Sequence, residues 1–332
     1  MKTENIQENF FRLIKQKISP HLSLADEIAS LLNISQDSAY RRIRCEKPLM
    51  IDEIQVLAIH YGISLDSFMN IKADKFIFSG SLLDKEKFKL ENYLQEMINT
   101  LERISNANRK YLYYLNKDVP IFQHFMFPEL ACFKCYFWSR YNLNYPQFNK
   151  GQFLISDFID VFNQKGAQIS DLYMNIPSTE VWNIDCINTT IRQIDFYRET
   201  KIFRSAQDII TIYNCLEKLL DHIEEQTEYG YKFPYKKNDR KNTIPYFVYI
   251  NEFLLGDNTV AVEMNDDKIV FVSHSVLNYI ATTDKKFVDY VFETIQLLIK
   301  KSTLISNAGE KDRQIFFETI RERIHDKKKL VS

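Results

Sequence analysis

The stretch Ile28–Lys47, "IASLLNISQDSAYRRIRCEK", decides how the first part of the chain is read. Leu24, Ile28, Leu31 and Leu32 recur at helical spacing, and Ala29 is small where a crossing helix would need to come close. Asn33 stands where the chain must leave that helix; after glycine, Asn is among the residues that best tolerate left-handed backbone. Ile34 then returns to the core, and Ser35 caps the next helix. That helix is polar. Ala39, Tyr40 and Ile43 are assigned inward, and Gln36, Asp37, Ser38, Arg41, Arg42 and Arg44 outward, with Lys47 just past the end and Pro48 as the stop.

The flanks fit a small helical unit. Ile6, Phe10, Leu13, Ile14 and Ile18 predict a first amphipathic helix, ended by Pro20. Ser23 caps the second helix, with Asp26 in its first turn. Downstream, "IDEIQVLAIHYG" carries Ile51, Ile54, Leu57 and Ala58; Gly62 ends it, and Ser64 opens a short fifth helix. "LAIHYGIS" at Leu57–Ser64 repeats the pattern of "IASLLNIS" at Ile28–Ser35. Only the earlier turn leads into a long, Arg-rich polar helix; the later one leads into "SLDSFMNI", short and apolar.

Five helices in this order, over roughly Ile6–Met69, resemble the lambda-repressor-like (Cro-type, XRE) helix-turn-helix domain. Two features depart from that pattern: Asn33 replaces the usual glycine of the turn, and the third helix reads one residue longer, with Glu46 near where glycine is common. The resemblance implies that the element at Ser35–Lys47 enters the major groove of double-stranded DNA. By residue type, Gln36 suits adenine, and Arg41 or Arg42 suits guanine or phosphate. Ser35, Ser38, Arg44 and Lys47 suit phosphates, and Asp37 shares their face. It further implies a homodimer on a pseudo-palindromic site.

Charge limits this reading. The formal net charge is −1, and residues 1–72 hold nine Lys/Arg and nine Asp/Glu, so any DNA contact must be a local patch. Residues 35–47 hold four basic and two acidic residues. An Arg-rich helix face is often only a solvated surface, and it is the helix order that lifts this one above that.

The remainder reads as mainly α. Residues 73–117 are taken as a connecting or dimerisation helix, built on an amphipathic run from about Leu82 to Leu115 that serves equally as a dimer stalk or one helix of a bundle. Residues 118–332 are taken as a mainly helical regulatory domain with a small antiparallel β-meander near 245–274, from "PYFVYINEFLL", "NTVAVEMN" and "KIVFVSHS". "STEVWNIDCINTTIRQIDFYRET" is read as helix, "KKNDRKN" as a basic loop and "DKKKLVS" as a frayed tail. The low numbers of Gly (7) and Pro (8) favour long helices over a many-turned β fold.

Other chemistry finds little support. Cys132 and Cys135 form a C-x-x-C with His124 upstream, but no second Cys/His pair stands at zinc-finger spacing and the neighbours are Phe, Tyr and Trp. Ser273, His274 and Ser275 are sequence neighbours on a strand and lack a nucleophile elbow. No 34-residue repeat is apparent. Neither a signal peptide nor a run of eighteen apolar residues is present, and the five cysteines are an odd, scattered set. The expectation is a cytoplasmic, non-membrane, non-enzymatic DNA-binding transcriptional regulator without cofactor or metal. Its aromatic-rich C-terminal portion would dimerise and bind a small-molecule or peptide effector in an aromatic-lined pocket. The alternative is a protein–protein interaction scaffold that uses the five-helix domain for docking.

Overall fold

The computed structural model describes residues 5–18, 22–69, 76–80, 88–149, 151–235, 243–253, 256–275 and 278–331. The chain divides into two units, Met1–Ile77 and Phe78–Ser332.

In the first unit, α1 (Ile6–Lys17), α2 (Leu24–Leu32), α3 (Gln36–Ile43), α4 (Ile51–Tyr61) and α5 (Leu65–Phe68) enclose a core of Phe10, Phe11, Ile14, Ile28, Ala39, Leu57 and Ala58. The Phe10 ring lies 5.2 Å from that of Phe68, which ties α5 back to α1. Three starts are capped by side chains: Asn5, Ser23 and Ser35 accept from the amides of Gln7, Asp26 and Ser38. Two helices end by the same device. Asn33 (φ 51°) and Gly62 (φ 59°) turn left-handed, and the following amides, Ile34 and Ile63, donate to Ala29 O at 3.0 Å and Ala58 O at 2.8 Å.

The second unit overturns the mainly-α expectation. Its elements are α6 (Leu90–Ser105), β1 (Lys110–Leu115), α7 (Ile121–His124), α8 (Pro128–Phe137), α9 (Ile159–Val161), α10 (Ala167–Met174), β2 (Ser178–Trp182), α11 (Asn188–Glu199), α12 (Ala206–Tyr229), β3 (Tyr231–Lys232), β4 (Ile244–Ile250), β5 (Thr259–Met264), β6 (Asp267–Ser275), β7 (Asn278–Thr282), α13 (Lys285–Lys300), β8 (Thr303–Leu304) and α14 (Glu310–Lys328). The strands form one mixed sheet in the order β3-β4-β2-β1-β5-β6-β7, with β8 paired to β4. Thus the unit is α/β, built on a large sheet and not on a small meander.

Each misreading has a physical cause. Of the helix expected over 82–115 the described residues form Leu90–Ser105 as helix; its first residues, 82–87, lie outside the described ones. "KYLYYL" alternates intermediate and buried residues as β1, because Tyr111 and Leu115 suit either periodicity and the aromatics favour a pleated surface. "STEVW", read as the start of a helix, is central strand β2, parallel to both β1 and β4 and buried at all five positions. Burial on both faces erases the alternation that marks a strand. β4 does not join the meander. It runs parallel beside β2, and the antiparallel ribbon is β5-β6-β7. The tail also differs: α14 extends through Lys328, where Lys327 and Lys328 reach Asp195 and Glu217 at 2.8 and 2.6 Å. The basic loop "KKNDRKN" lies wholly outside the described residues.

One sheet face, carrying Leu112, Tyr114, Glu180, Tyr246, Val260 and Val262, lies in the main core with the buried residues of α6, α8, α12 and α14. The other face packs Tyr113, Ala261 and Val270 against Val288, Phe292 and Ile295 of α13. Glu180 is fully buried at the sheet centre. It accepts from Trp182 Nε1 at 2.7 Å, from the Tyr246 hydroxyl at 2.8 Å and from the Tyr173 hydroxyl. Nearby, Lys232 Nζ donates to the carbonyls of Tyr173 and Ile176 at 3.1 and 2.9 Å. Burial lowers its pKa to about 7, against the pull of Glu180.

Candidate nucleic-acid interface

The proposed reading element begins at a well-defined corner. Asn33 ends α2, Ile34 plugs inward, and the Ser35 hydroxyl accepts from Ser38 N at 3.3 Å to start α3. Gln36 is exposed and its amide donates to the Asp26 carboxylate of α2, which fixes the side chain across the corner. Ser35, Asp37, Arg41, Arg44 and Lys47 are exposed, and Ser38 is partly so.

Arg42 is not on this face. It is only 4% exposed; its Nε and Nη2 donate to the Glu53 carboxylate of α4 at 2.9 and 2.5 Å, and its Nη1 donates to Ser38 Oγ and O. The hydrogen bonds with Glu53 push the guanidinium pKa up and the carboxyl pKa down. Tyr40, assigned inward, is instead 47% exposed, with the Arg44 guanidinium 5.8 Å from its ring centre. With 3.6 residues per turn, positions 40 and 42 flank the midline of inward Ala39 and Ile43 equally, and what turns Arg42 inward is its two-point contact with Glu53 on α4.

The element also ends sooner than expected. α3 stops at Ile43, Cys45 is left-handed (φ 60°), and the amides of Glu46 and Lys47 both donate to Arg41 O. Arg44 and Lys47 therefore project from a turn and not from helix. Gln7 of α1 braces that turn, donating to Arg42 O and Lys47 O at 2.7 and 2.8 Å and accepting from Leu49 N at 2.9 Å. Glu53 and Gln7 were missed as positioning residues, although a carboxylate in the first turn of α4 was visible as a capping signal. Glu53 accepts from Met50 N at 3.0 Å in that role.

Elsewhere, Cys132 and Cys135 sit on α8, both buried, and burial pushes the Cys135 thiol up to about 12. His124 is buried with its Nδ1 3.1 Å from Pro120 O. His274 is exposed on β6. Among the described residues, no group of His, Cys, Asp and Glu could hold a metal ion, and no helix is long and apolar enough to cross a membrane. Comparison with family models, with curated proteins and with solved structures gives no match.

Proposed function

We propose that the first unit is the duplex-DNA-reading module of a cytoplasmic, non-enzymatic transcriptional regulator that acts as a homodimer. The observation that carries this reading is the exposed surface of Ser35, Gln36, Asp37, Arg41, Arg44 and Lys47, held on a short capped helix after a left-handed corner. Gln36 and Arg41, on α3 itself, face base edges; Ser35, Ser38, Arg44 and Lys47, at its ends, face phosphates. Arg42 has no part in the contact and supports it from beneath. Selection of random duplexes against the wild type and Arg41→Ala tests the reading: the wild type enriches a defined, two-half-site sequence and the variant loses preference at one position of each half-site. Equal enrichment by both proteins eliminates α3 as the reader.

A second reading rests on α4. Ile51 and Ile59 are 81% and 74% exposed, and with Met50 and Val56 they give this unit an uncovered apolar surface suited to docking another protein. Salt separates the two readings, because phosphate contacts release counterions and apolar docking does not.

A further inference from the structure

A cavity of about 210 Å³ lies between α6 and the face of the sheet turned away from α13. Met97 and Leu101 of α6 form one wall; Val262, Phe271, Tyr279 and Ala281 of β5, β6 and β7 form the other, with Gly80 at one side. An engineered cavity of about 150 Å³ takes a benzene molecule, so this one suits roughly eight to ten non-hydrogen atoms. Among the described residues its lining contains no Lys, Arg or His, and Glu96 is its one acid, so an anion finds no countercharge among them.

Tyr279 lines the space together with the polar side chains of Thr100 and Asn278, and Tyr114 stands behind it. The hydroxyls of Tyr279 and Tyr114 stand 3.3 Å apart, and neither has another acceptor among the described residues. Two hydroxyls bonded to each other use one proton, which leaves the second for an acceptor oxygen. The cavity also touches the strap that follows the first unit. Ser79 pairs with Ala281 through two backbone hydrogen bonds of 2.7 and 2.8 Å, and Phe78 meets the Phe287 ring at 5.0 Å. Gly80 fits closely at this wall: any Cβ there would lie 2.9 Å from Ile280 Cγ2.

We propose that this cavity binds a small, uncharged, largely apolar molecule bearing one carbonyl oxygen, which accepts a hydrogen bond from the Tyr114–Tyr279 pair. The assignment deepens the effector-sensing expectation for the second unit and rests on it, but its test involves no DNA, so failure of one is separable from failure of the other. Calorimetric titration of the full chain uses 1-indanone, the matched hydrocarbon indane and the anion 3-phenylpropanoate. The ketone binds saturably, indane binds about five- to tenfold more weakly, and the anion does not bind. Tyr279→Phe retains the cavity and erases the preference for ketone over hydrocarbon, while Thr100→Phe fills it from α6 and abolishes both. Bound ketone slows hydrogen exchange at the amides of Ser79 and Ala281. Absence of saturable ketone binding to the wild type, equal binding of ketone and indane, or undiminished binding by Thr100→Phe overturns the proposal.

Discussion

Arg42 and Glu53 form a two-point ion pair, with contacts of 2.9 and 2.5 Å, that locks α3 onto α4 beneath the exposed surface. Arg42 thus braces α3 from beneath and is absent from the exposed face proposed to read DNA. Removing it leaves Glu53, 18% exposed, without its partner. Arg42→Ala is expected to destabilise the first unit by about 2–3 kcal/mol, between the values for surface and buried pairs. Arg41→Ala is expected to leave its stability within about 0.5 kcal/mol. Chemical denaturation followed by a probe in the first unit distinguishes them. Equal stability losses would refute the division of labour.

DNA affinity should follow the exposed cations only. Single alanine substitutions at Arg44 and Lys47 are each expected to reduce the slope of log affinity against log salt by about 0.9, uniformly across duplex sequences. Filter binding from low to moderate salt measures this. A slope unchanged in both variants removes these residues from the contact.

Glu180 gathers donors that have no other use. Glu180→Ala leaves Trp182 Nε1 and the Tyr246 and Tyr173 hydroxyls without their acceptor in a buried site. The expected cost is about 3–5 kcal/mol, against about 1–2 kcal/mol for Tyr246→Phe, which deletes one donor. Thermal unfolding of the two variants gives the comparison, and an equal effect would show that the carboxylate is not the hub.

Two buried histidines set an acid-side limit. Burial lowers His124 to about 3, with the Lys134 charge adding to it, and lowers His222 to about 4. In the unfolded chain each protonates near 6.5, so below that pH the unfolded state binds the extra proton. Stability is therefore complete above about pH 6.5 and falls as pH drops toward the folded values. The loss reaches about 2 kcal/mol per histidine by pH 5. His222→Gln should flatten the profile of denaturation midpoint against pH in this window by about half, and an unaltered profile would contradict the assignment.

The small helices were legible because each carries its own punctuation: Ser23 and Ser35 cap, Asn33 and Gly62 turn, and the apolar residues keep a 3.6 period. The exposure of Tyr40 and burial of Arg42 were not legible, because both flank the Ala39/Ile43 face equally and the deciding partner, Glu53, comes from another helix. Residue chemistry misled there, since a tyrosine suggests core and an arginine suggests surface. The sheet was less legible. β2 is too short and too evenly buried to show a period, and β1 has few apolar positions with which to separate two templates. That β4 lies beside β2, and not β5, is a long-range choice that no local pattern records. The cavity was foreseeable only as aromatic richness, because most of those rings fill core.

The rung between Ser79 and Ala281 has a practical consequence for where the chain can be cut. A fragment starting at Leu90 would look complete by helix prediction, yet it would strip β7 of the one described backbone partner on its outer side. The bared amide and carbonyl of Ala281 would then offer an adhesive margin to other molecules, the usual origin of edge-to-edge aggregation. The excised body should be cut ahead of Phe76, so that it carries its own selvedge.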